Sequence, residues 1–103
     1  MSNTSSYQED LIESLREPCE AAAYINAALE EGNRAAFLLA LRNVAAAHGG
    51  IAAFAKKTNL SRESLYRMLS GKGNPEIKSL YALLRAMGLR LAVEAEPRSR
   101  KAA

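Results

Sequence analysis

The sequence predicts an all-α domain of five or six helices that contains a helix-turn-helix and ends in one short strand. Apolar residues recur with a period near 3.6 along most of the chain, which is typical of amphipathic helices. Glycines and prolines separate these segments, for example at Gly32, Pro75 and Gly88. Only residues 89–94 alternate strictly between apolar and other residues, as a strand does. The length of 103 residues fits one domain, predicted at residues 7–94.

The first three predicted helices cover residues 7–16, residues 18–30, and a segment that Asn33 can cap and that ends near Ala47. Pro18 suits the first turn of the second helix, because the missing amide hydrogen would be unpaired there in any case. Residues 1–6 are polar and are predicted to be disordered. The side chains expected to face inward are Leu11, Ile12 and Leu15, then Ala21, Tyr24, Ile25, Ala28 and Leu29, then Phe37, Ala40, Leu41 and Val44.

Residues 50–70 are predicted to form a short helix, a tight turn and a second short helix, with the central sequence IAAFAKKTNLSRESLYRML. Asn59 lies where the turn favours a left-handed backbone, which asparagine tolerates well. Ser61 can cap the second helix by accepting a hydrogen bond from an unpaired amide. Ala55 is small where the two helices cross, and Leu60 can fill the space between them.

The outward face of the second short helix has a composition that suits contact with DNA. Leu65, Met68 and Leu69 share the inward face. The predicted DNA-binding residues are therefore Ser61, Arg62, Glu63, Ser64, Tyr66 and Arg67, together with Lys72 in the flexible, positively charged turn that follows.

Five of these side chains are assigned a candidate DNA contact by their chemistry. Arg62 and Arg67 are candidates for guanine or phosphate, and Tyr66 for a thymine methyl group or phosphate. Glu63 can accept from cytosine or form an i, i+4 pair with Arg67, and Lys72 can reach the DNA backbone. Pairs of short helices also occur in proteins that bind no DNA, so an all-α protein–protein adaptor remains an alternative.

A last helix is predicted from Pro75 to about residue 87, followed by a strand at 89–94 and a basic tail at 95–103. The residues expected to face inward in this helix are Ile77, Leu80, Tyr81 and Leu84. The strand residues Leu89, Leu91 and Val93 have no second strand to pair with in their own chain. We therefore expect antiparallel pairing with a second copy, which gives a two-fold homodimer. An extended tail packed on the core is the alternative.

Charge is divided unevenly along the chain, although the net charge is only +3. Residues 1–31 contain seven acidic residues and one basic residue, a balance of −6, whereas residues 32–103 have a balance of +9. The basic part suits a phosphate backbone. The acidic part can repel DNA or attract a basic protein, or it can simply be a solvated helix surface.

The sequence contains no constellation of residues that predicts an enzyme, a metal site or a cofactor. His48 is the single histidine and is interpreted as a residue at a helix C-terminus, and the single cysteine, Cys19, cannot form an internal disulfide. No apolar run approaches the ~20 residues that span a membrane. The N-terminal sequence lacks the layout of a secretory signal, so we expect a cytoplasmic protein without membrane contact.

Two segments carry a family resemblance: SYQEDLIESLREPCEAAAYINAALEEGNRAAFLLALRNVAAAHGGI and LSRESLYRMLSGKGNPEIKSLYALLRAMGLRLAV. Together they resemble the antidote proteins of HigA-type addiction modules, in particular the subfamily of probable addiction module antidote proteins. The strongest pieces lie at residues 60–67, 73–75 and 88–91. Relatives often carry a Thr-Gln pair where this chain has Ala52-Ala53.

The resemblance implies a lambda-repressor-like helix-turn-helix in the antitoxin of a bacterial type II toxin–antitoxin pair. Such an antitoxin neutralises a RelE/ParE-like toxin, often an mRNA-cutting ribonuclease, and represses its own operon by binding double-stranded operator DNA. The base-contacting positions of the family match Ser61, Arg62, Glu63, Tyr66 and Arg67. A stand-alone helix-turn-helix transcriptional regulator is the alternative.

Overall fold

The computed structural model describes the backbone of residues 3–97 and the side chains of residues 6–97, and this part of the chain is all-helical. Its six helices are α1 (Asn3–Ser14), α2 (Pro18–Glu30), α3 (Arg34–Ala47), α4 (Ile51–Thr58), α5 (Arg62–Leu69) and α6 (Ile77–Ala86). No strand occurs within residues 3–97. The predicted all-α class is therefore confirmed.

Helix α3 lies at the centre of the fold. Helices α1, α2, α4 and α5 all pack against it, and α6 packs against α4. One hydrophobic core results, and its largest fully buried side chains are Leu15, Leu38, Leu41, Val44, Phe54, Leu65, Leu69, Leu83 and Met87. The acidic first third of the sequence therefore packs on α3 through α1 and α2, and the basic part packs on it through α4 and α5.

Side-chain caps define where α2 and α3 begin. Asn33 Oδ1 accepts from the amides of Ala35 and Ala36 at 2.8 and 3.3 Å, which confirms the predicted cap of α3. The Glu17 carboxylate accepts from the Cys19 amide at 2.8 Å and caps α2, an arrangement that the sequence did not predict. Both capping side chains pair amides that have no partner inside the helix.

The ends of two helices differ from the predicted ones. Helix α1 begins at Asn3, inside the segment 1–6 that was predicted to be disordered, and ends at Ser14 rather than at residue 16. Residues 1–2 lie outside the described part. Helix α6 begins at Ile77, so Pro75 precedes the helix instead of opening it. Helix ends are the least certain part of a sequence pattern, because the last turn contributes few packing contacts.

The inward face of α6 agrees only in part with the predicted one: Leu84 is buried and Leu80 packs half-buried against the core, as predicted, but the other two residues are exposed. Ile77 and Tyr81 are 61% and 52% exposed, and the buried residues at this end of the molecule are Leu83, Leu84 and Met87. The helix carries apolar residues on more than one face, so its periodicity alone could not select the buried one. Packing against α4 decides the orientation. Leu29, also predicted inward, lies exposed in the last turn of α2.

Residues 89–97 have no regular secondary structure. Leu89 is half-buried and packs against the core, Leu91 is exposed, and Val93 is 99% exposed. The predicted strand at 89–94 is therefore not observed, and residues 3–97 contain no second strand with which its backbone could pair. Most of the predicted basic tail, residues 98–103, lies outside the described part.

Over the part of the chain that the structure describes, no single helix is both long and apolar enough to cross a membrane. Helices α3 and α4 reach that length and composition only as a pair, and they are bent by 89° relative to each other.

Candidate nucleic-acid interface

Residues 59–61 join α4 to α5, and their conformation is fixed by one side chain and one unusual backbone angle. Asn59 has φ of 62° and ψ of 15°, which confirms the predicted left-handed residue. Thr58 Oγ1 donates to the Phe54 carbonyl at 2.6 Å and accepts from the Leu60 amide at 3.2 Å. Leu60 packs half-buried against the core. Thr58 thus connects the end of α4 to the turn, a role that the sequence analysis did not assign.

The start of α5 is capped as predicted. Ser61 Oγ accepts from the Ser64 amide at 3.0 Å, and the Ser61 and Ser64 hydroxyl oxygens are also 3.0 Å apart. Ser61 and Ser64, both predicted site residues, are therefore in direct contact. Because Ser64 is half-buried and its hydroxyl bonds to the cap, its first role is structural.

The two faces of α5 have opposite character. Leu65, Met68 and Leu69 are buried, which confirms the predicted inward face. The four side chains predicted to face outward and not engaged in the cap, namely Arg62, Glu63, Tyr66 and Arg67, are all exposed. Tyr66 is 63% exposed, although it is aromatic. This face is available for a partner along the full length of the helix.

Glu63 and Arg67 form the i, i+4 pair that the sequence suggested. Arg67 Nη2 lies 3.9 Å from Glu63 Oε2, and the two side chains are 72% and 86% exposed. A pair so open to water contributes little to stability. Arg67 can therefore leave Glu63 for another anion at small cost.

The turn after α5 is held in place at Gly73. Its amide donates to the Ser70 carbonyl at 2.9 Å, and the residue is buried. A Cβ at Gly73 would collide with main-chain oxygens at the end of α5. Lys72 is exposed directly before this fixed point, so its position relative to α5 is restricted more than a flexible turn would allow.

Two further cations lie near the turn between the short helices. Lys56 and Lys57 occupy the last turn of α4 and are both exposed. Lys57 Nζ lies 5.6 Å from the centroid of the buried Phe54 ring. These lysines were not among the predicted site residues, although two adjacent lysines before the predicted turn were a visible signal in the sequence.

A cleft of about 520 Å³ lies between the end of α3, the start of α4 and the end of α5. Its walls are mostly apolar and include Ile51, Ala46 and Tyr66. Arg42 of α3 lines the same cleft and donates from Nη1 to the Leu69 carbonyl, the last residue of α5. Arg42 was not among the predicted site residues, because its partner is a main-chain atom 27 positions along the chain.

Residues outside this region offer little chemistry. Among residues 6–97, no three histidine, cysteine or acidic side chains lie close enough together to bind a metal ion. His48 is the C-cap of α3, as predicted, and its Nε2 atom is buried without a hydrogen-bond partner in the described part. Cys19 is exposed at the start of α2.

Residues 5–95 match the family model described as "probable addiction module antidote protein". The chain belongs to this antidote family. An uncharacterized protein of Haemophilus influenzae strain KW20 Rd is 34% identical over 85 residues, which is 82% of this chain and 87% of that protein. No solved structure matches the antidote significantly.

Membership in the antidote family confirms the resemblance at the level of an addiction module, a toxin–antitoxin system. The family also implies a toxin as partner of the antidote. The matched residues 5–95 include the five helices α2 to α6, most of α1, and every predicted site residue.

Proposed function

We propose that this antidote is a HigA-type, DNA-binding antitoxin that represses its own operon and neutralises a RelE/ParE-like toxin. In this proposal α4, the turn at residues 59–61 and α5 act as the helix-turn-helix, and α5 enters the major groove of operator DNA. The observation that supports it most directly is α5 itself. One face of this short helix is fully buried, and the other exposes two arginines and a tyrosine.

The chemistry of the exposed face suits bases and phosphates. Arg62 and Arg67 carry planar guanidinium groups that can bind guanine with two hydrogen bonds, and Tyr66 offers an aromatic surface to a thymine methyl group. Glu63 lies within reach of Arg67 and can orient it or accept from cytosine. Ser61 is exposed at the helix start, where a hydroxyl can contact the backbone.

Lysines beside α5 supply the contacts that do not depend on sequence. Lys72 lies exposed after α5, and Lys56 and Lys57 lie exposed before the turn. Contacts of lysine with phosphate release counterions, so binding should weaken steeply as salt increases. The net charge of +9 on residues 32–103 is consistent with such salt-dependent binding.

A gel shift with the DNA upstream of the antidote's own gene tests the proposal. The wild type should bind this DNA in preference to a scrambled duplex of equal length. Arg62→Ala/Arg67→Ala should lose that preference, whereas Arg34→Ala/Arg85→Ala, with the same charge change at exposed positions on α3 and α6, should keep it. A wild type that shows no preference would contradict the DNA-binding part of the proposal.

The acidic side chains of residues 1–31 are proposed to attract the toxin electrostatically. All seven acidic residues of the first third are exposed, on α1, on α2 or at their ends. A RelE/ParE-like toxin that binds RNA would be basic, so the opposite charges would raise the association rate. Deleting this region would also remove Leu15, Ala21 and Ile25 from the core.

Charge removal is therefore the better test of toxin binding. We expect Glu13→Gln/Glu17→Gln/Glu20→Gln to slow association with the toxin encoded beside the antidote, most strongly at low salt. Glu76→Gln/Glu94→Gln/Glu96→Gln is the control, because it removes the same charge at exposed positions outside α1 and α2. Equal association rates for both triple variants would refute the electrostatic role of α1 and α2.

We further propose that the antidote is a cytoplasmic homodimer without enzymatic activity or cofactor. The dimer is supported by the exposed segment 91–94, whose backbone has no partner in the described chain, and by the exposed apolar side chains of Val93, Ile77 and Tyr81. Antiparallel pairing of residues 89–94 between two copies would satisfy those backbone groups. It would also present two α5 helices to the two halves of an operator.

A further inference from the structure

Arg42 is the one side chain in residues 6–97 that hydrogen-bonds α5 to another helix. It lies half-buried on α3, and its Nη1 atom donates to the main-chain oxygen of Leu69, the last residue of α5. The final carbonyls of a helix have no partner within the helix and form the negative end of its dipole. A guanidinium group at this position therefore satisfies a carbonyl and interacts favourably with the helix end.

The other polar contacts of α5 are local to the helix. Ser61 caps its start, and at its end the Ser70 hydroxyl and amide donate to the Arg67 carbonyl at 3.0 and 3.4 Å. Such contacts determine where the helix begins and ends. They do not determine how its axis is directed relative to α3, because both partners belong to the same segment.

The direction of α5 controls the placement of the exposed side chains. Arg62, Tyr66 and Arg67 all project from the face opposite the buried Leu65 and Leu69. A tilt at the C-terminal end of α5 would displace Arg67 and Tyr66 together, relative to α4. Hydrogen bonds to base edges tolerate only a few tenths of an ångström, so a small tilt would remove them.

We infer that Arg42 is a positioning residue that fixes the orientation of α5 and thereby gives the antidote its preference for operator over other DNA. This inference rests on the proposed DNA binding. Arg42 acts from within the fold, through the Leu69 carbonyl, and not as a contact to phosphate. Its removal should therefore reduce discrimination between sequences and leave the number of phosphate contacts unchanged.

The experiment compares Arg42→Met with Arg34→Met, which makes the same charge change at an exposed position on the same helix. The dissociation constant is measured for operator DNA and for a scrambled duplex, at several salt concentrations. For Arg42→Met we expect the ratio of the two constants to fall roughly tenfold, the scale of one hydrogen bond to a charged group, with an unchanged salt slope. Arg34→Met should keep the wild-type ratio.

Arg42→Lys provides a test by rescue, because an ammonium group can also donate to the Leu69 carbonyl. It should recover part of the lost discrimination. An unchanged ratio in Arg42→Met would overturn the inference. So would a salt slope reduced by about one with equal weakening on both duplexes, since that result identifies a phosphate contact.

Amide hydrogen exchange of the full chain without DNA separates positioning from a general loss of stability. In Arg42→Met, the amides of α5 and Ser70 should exchange faster while those of α2 stay as in the wild type. Uniform acceleration in all helices would overturn the inference.

If the wild type shows no preference for operator DNA, the proposed function fails. A wild-type preference that survives in Arg42→Met refutes only the role of Arg42.

Discussion

Gly73 lies so close to Met68 that any side chain at position 73 would overlap the Met68 main-chain oxygen, and a Cβ would also lie 2.7 Å from the oxygen of Arg67. Gly73→Ala must therefore displace the turn from the end of α5, and we expect a loss of about 1–3 kcal/mol in unfolding free energy. Urea denaturation measures this loss.

Gly71→Ala is the matched control, because a Cβ at Gly71 would meet no atom within 4 Å and Gly71 has no positive φ. Its stability should stay within about 0.5 kcal/mol of the wild type. Equal stabilities for the two variants would contradict the close contact of the turn with α5.

The cap of α5 gives a second prediction. Ser61→Ala removes the acceptor for the Ser64 amide and should lower the unfolding free energy by about 1 kcal/mol. Ser61→Asp keeps an acceptor and places negative charge at the positive end of the helix dipole, so it should stay close to the wild type. Thermal unfolding followed by circular dichroism compares them. Equal destabilisation by both substitutions would show that the cap is unimportant.

Adjacent leucines on α3 give a third prediction. Leu38 is fully buried, whereas Leu39 is 47% exposed. Leu38→Ala should cost about 2–5 kcal/mol, because it leaves a cavity in the core. Leu39→Ala should lower the unfolding free energy by less than about 1 kcal/mol, since about half of the residue is already exposed to solvent. Urea denaturation of the pair tests the orientation of α3 directly, and a reversed order would mean that the helix is rotated.

The Glu63–Arg67 pair gives a fourth prediction, which separates stability from binding. Because both side chains are mostly exposed, Glu63→Gln should change the unfolding free energy by less than about 0.5 kcal/mol. Arg67→Ala should nevertheless weaken operator binding by about 1–3 kcal/mol, the scale of a specific base contact. Fluorescence anisotropy with labelled operator measures the binding. An unchanged operator affinity in Arg67→Ala would exclude this residue from the interface.

The proposed dimer gives a fifth prediction. Val93→Pro removes one amide donor from residues 89–94 and should weaken self-association, as seen by analytical ultracentrifugation over a range of concentrations. Val93→Thr keeps the amide and a β-branched side chain and should associate like the wild type. A wild type that stays monomeric at high concentration would contradict the proposed pairing.

Much of the region around α5 followed from local sequence signals. The caps at Asn33 and Ser61, the left-handed Asn59, and the buried face formed by Leu65, Met68 and Leu69 were all predicted. Each depends on residues a few positions apart, and the chemistry of one side chain or one backbone angle is enough to specify it. The family membership of the chain agrees with the resemblance that the same residues carry.

Other features could not be predicted because they depend on residues that are distant in sequence. Arg42 and Leu69 are 27 positions apart, and no local pattern marks either one. Whether Tyr81 or Leu83 faces the core beside Leu84 depends on how α6 packs against α4, since the helix is apolar on both sides. The predicted strand at 89–94 would need a second strand for its backbone, and residues 3–97 contain none.

The sequence by itself determined the helical class, most helix ends, the caps of α3 and α5 and the polar face of α5, because helix formation and capping are local and their free energies depend on neighbouring residues. Only the tertiary structure decided the orientation of α6, the contact of Gly73 with Met68 and the bond from Arg42 to Leu69. These features arise when helices compete for one small core, and the arrangement that buries the most apolar surface without clashes determines which side chains remain outside.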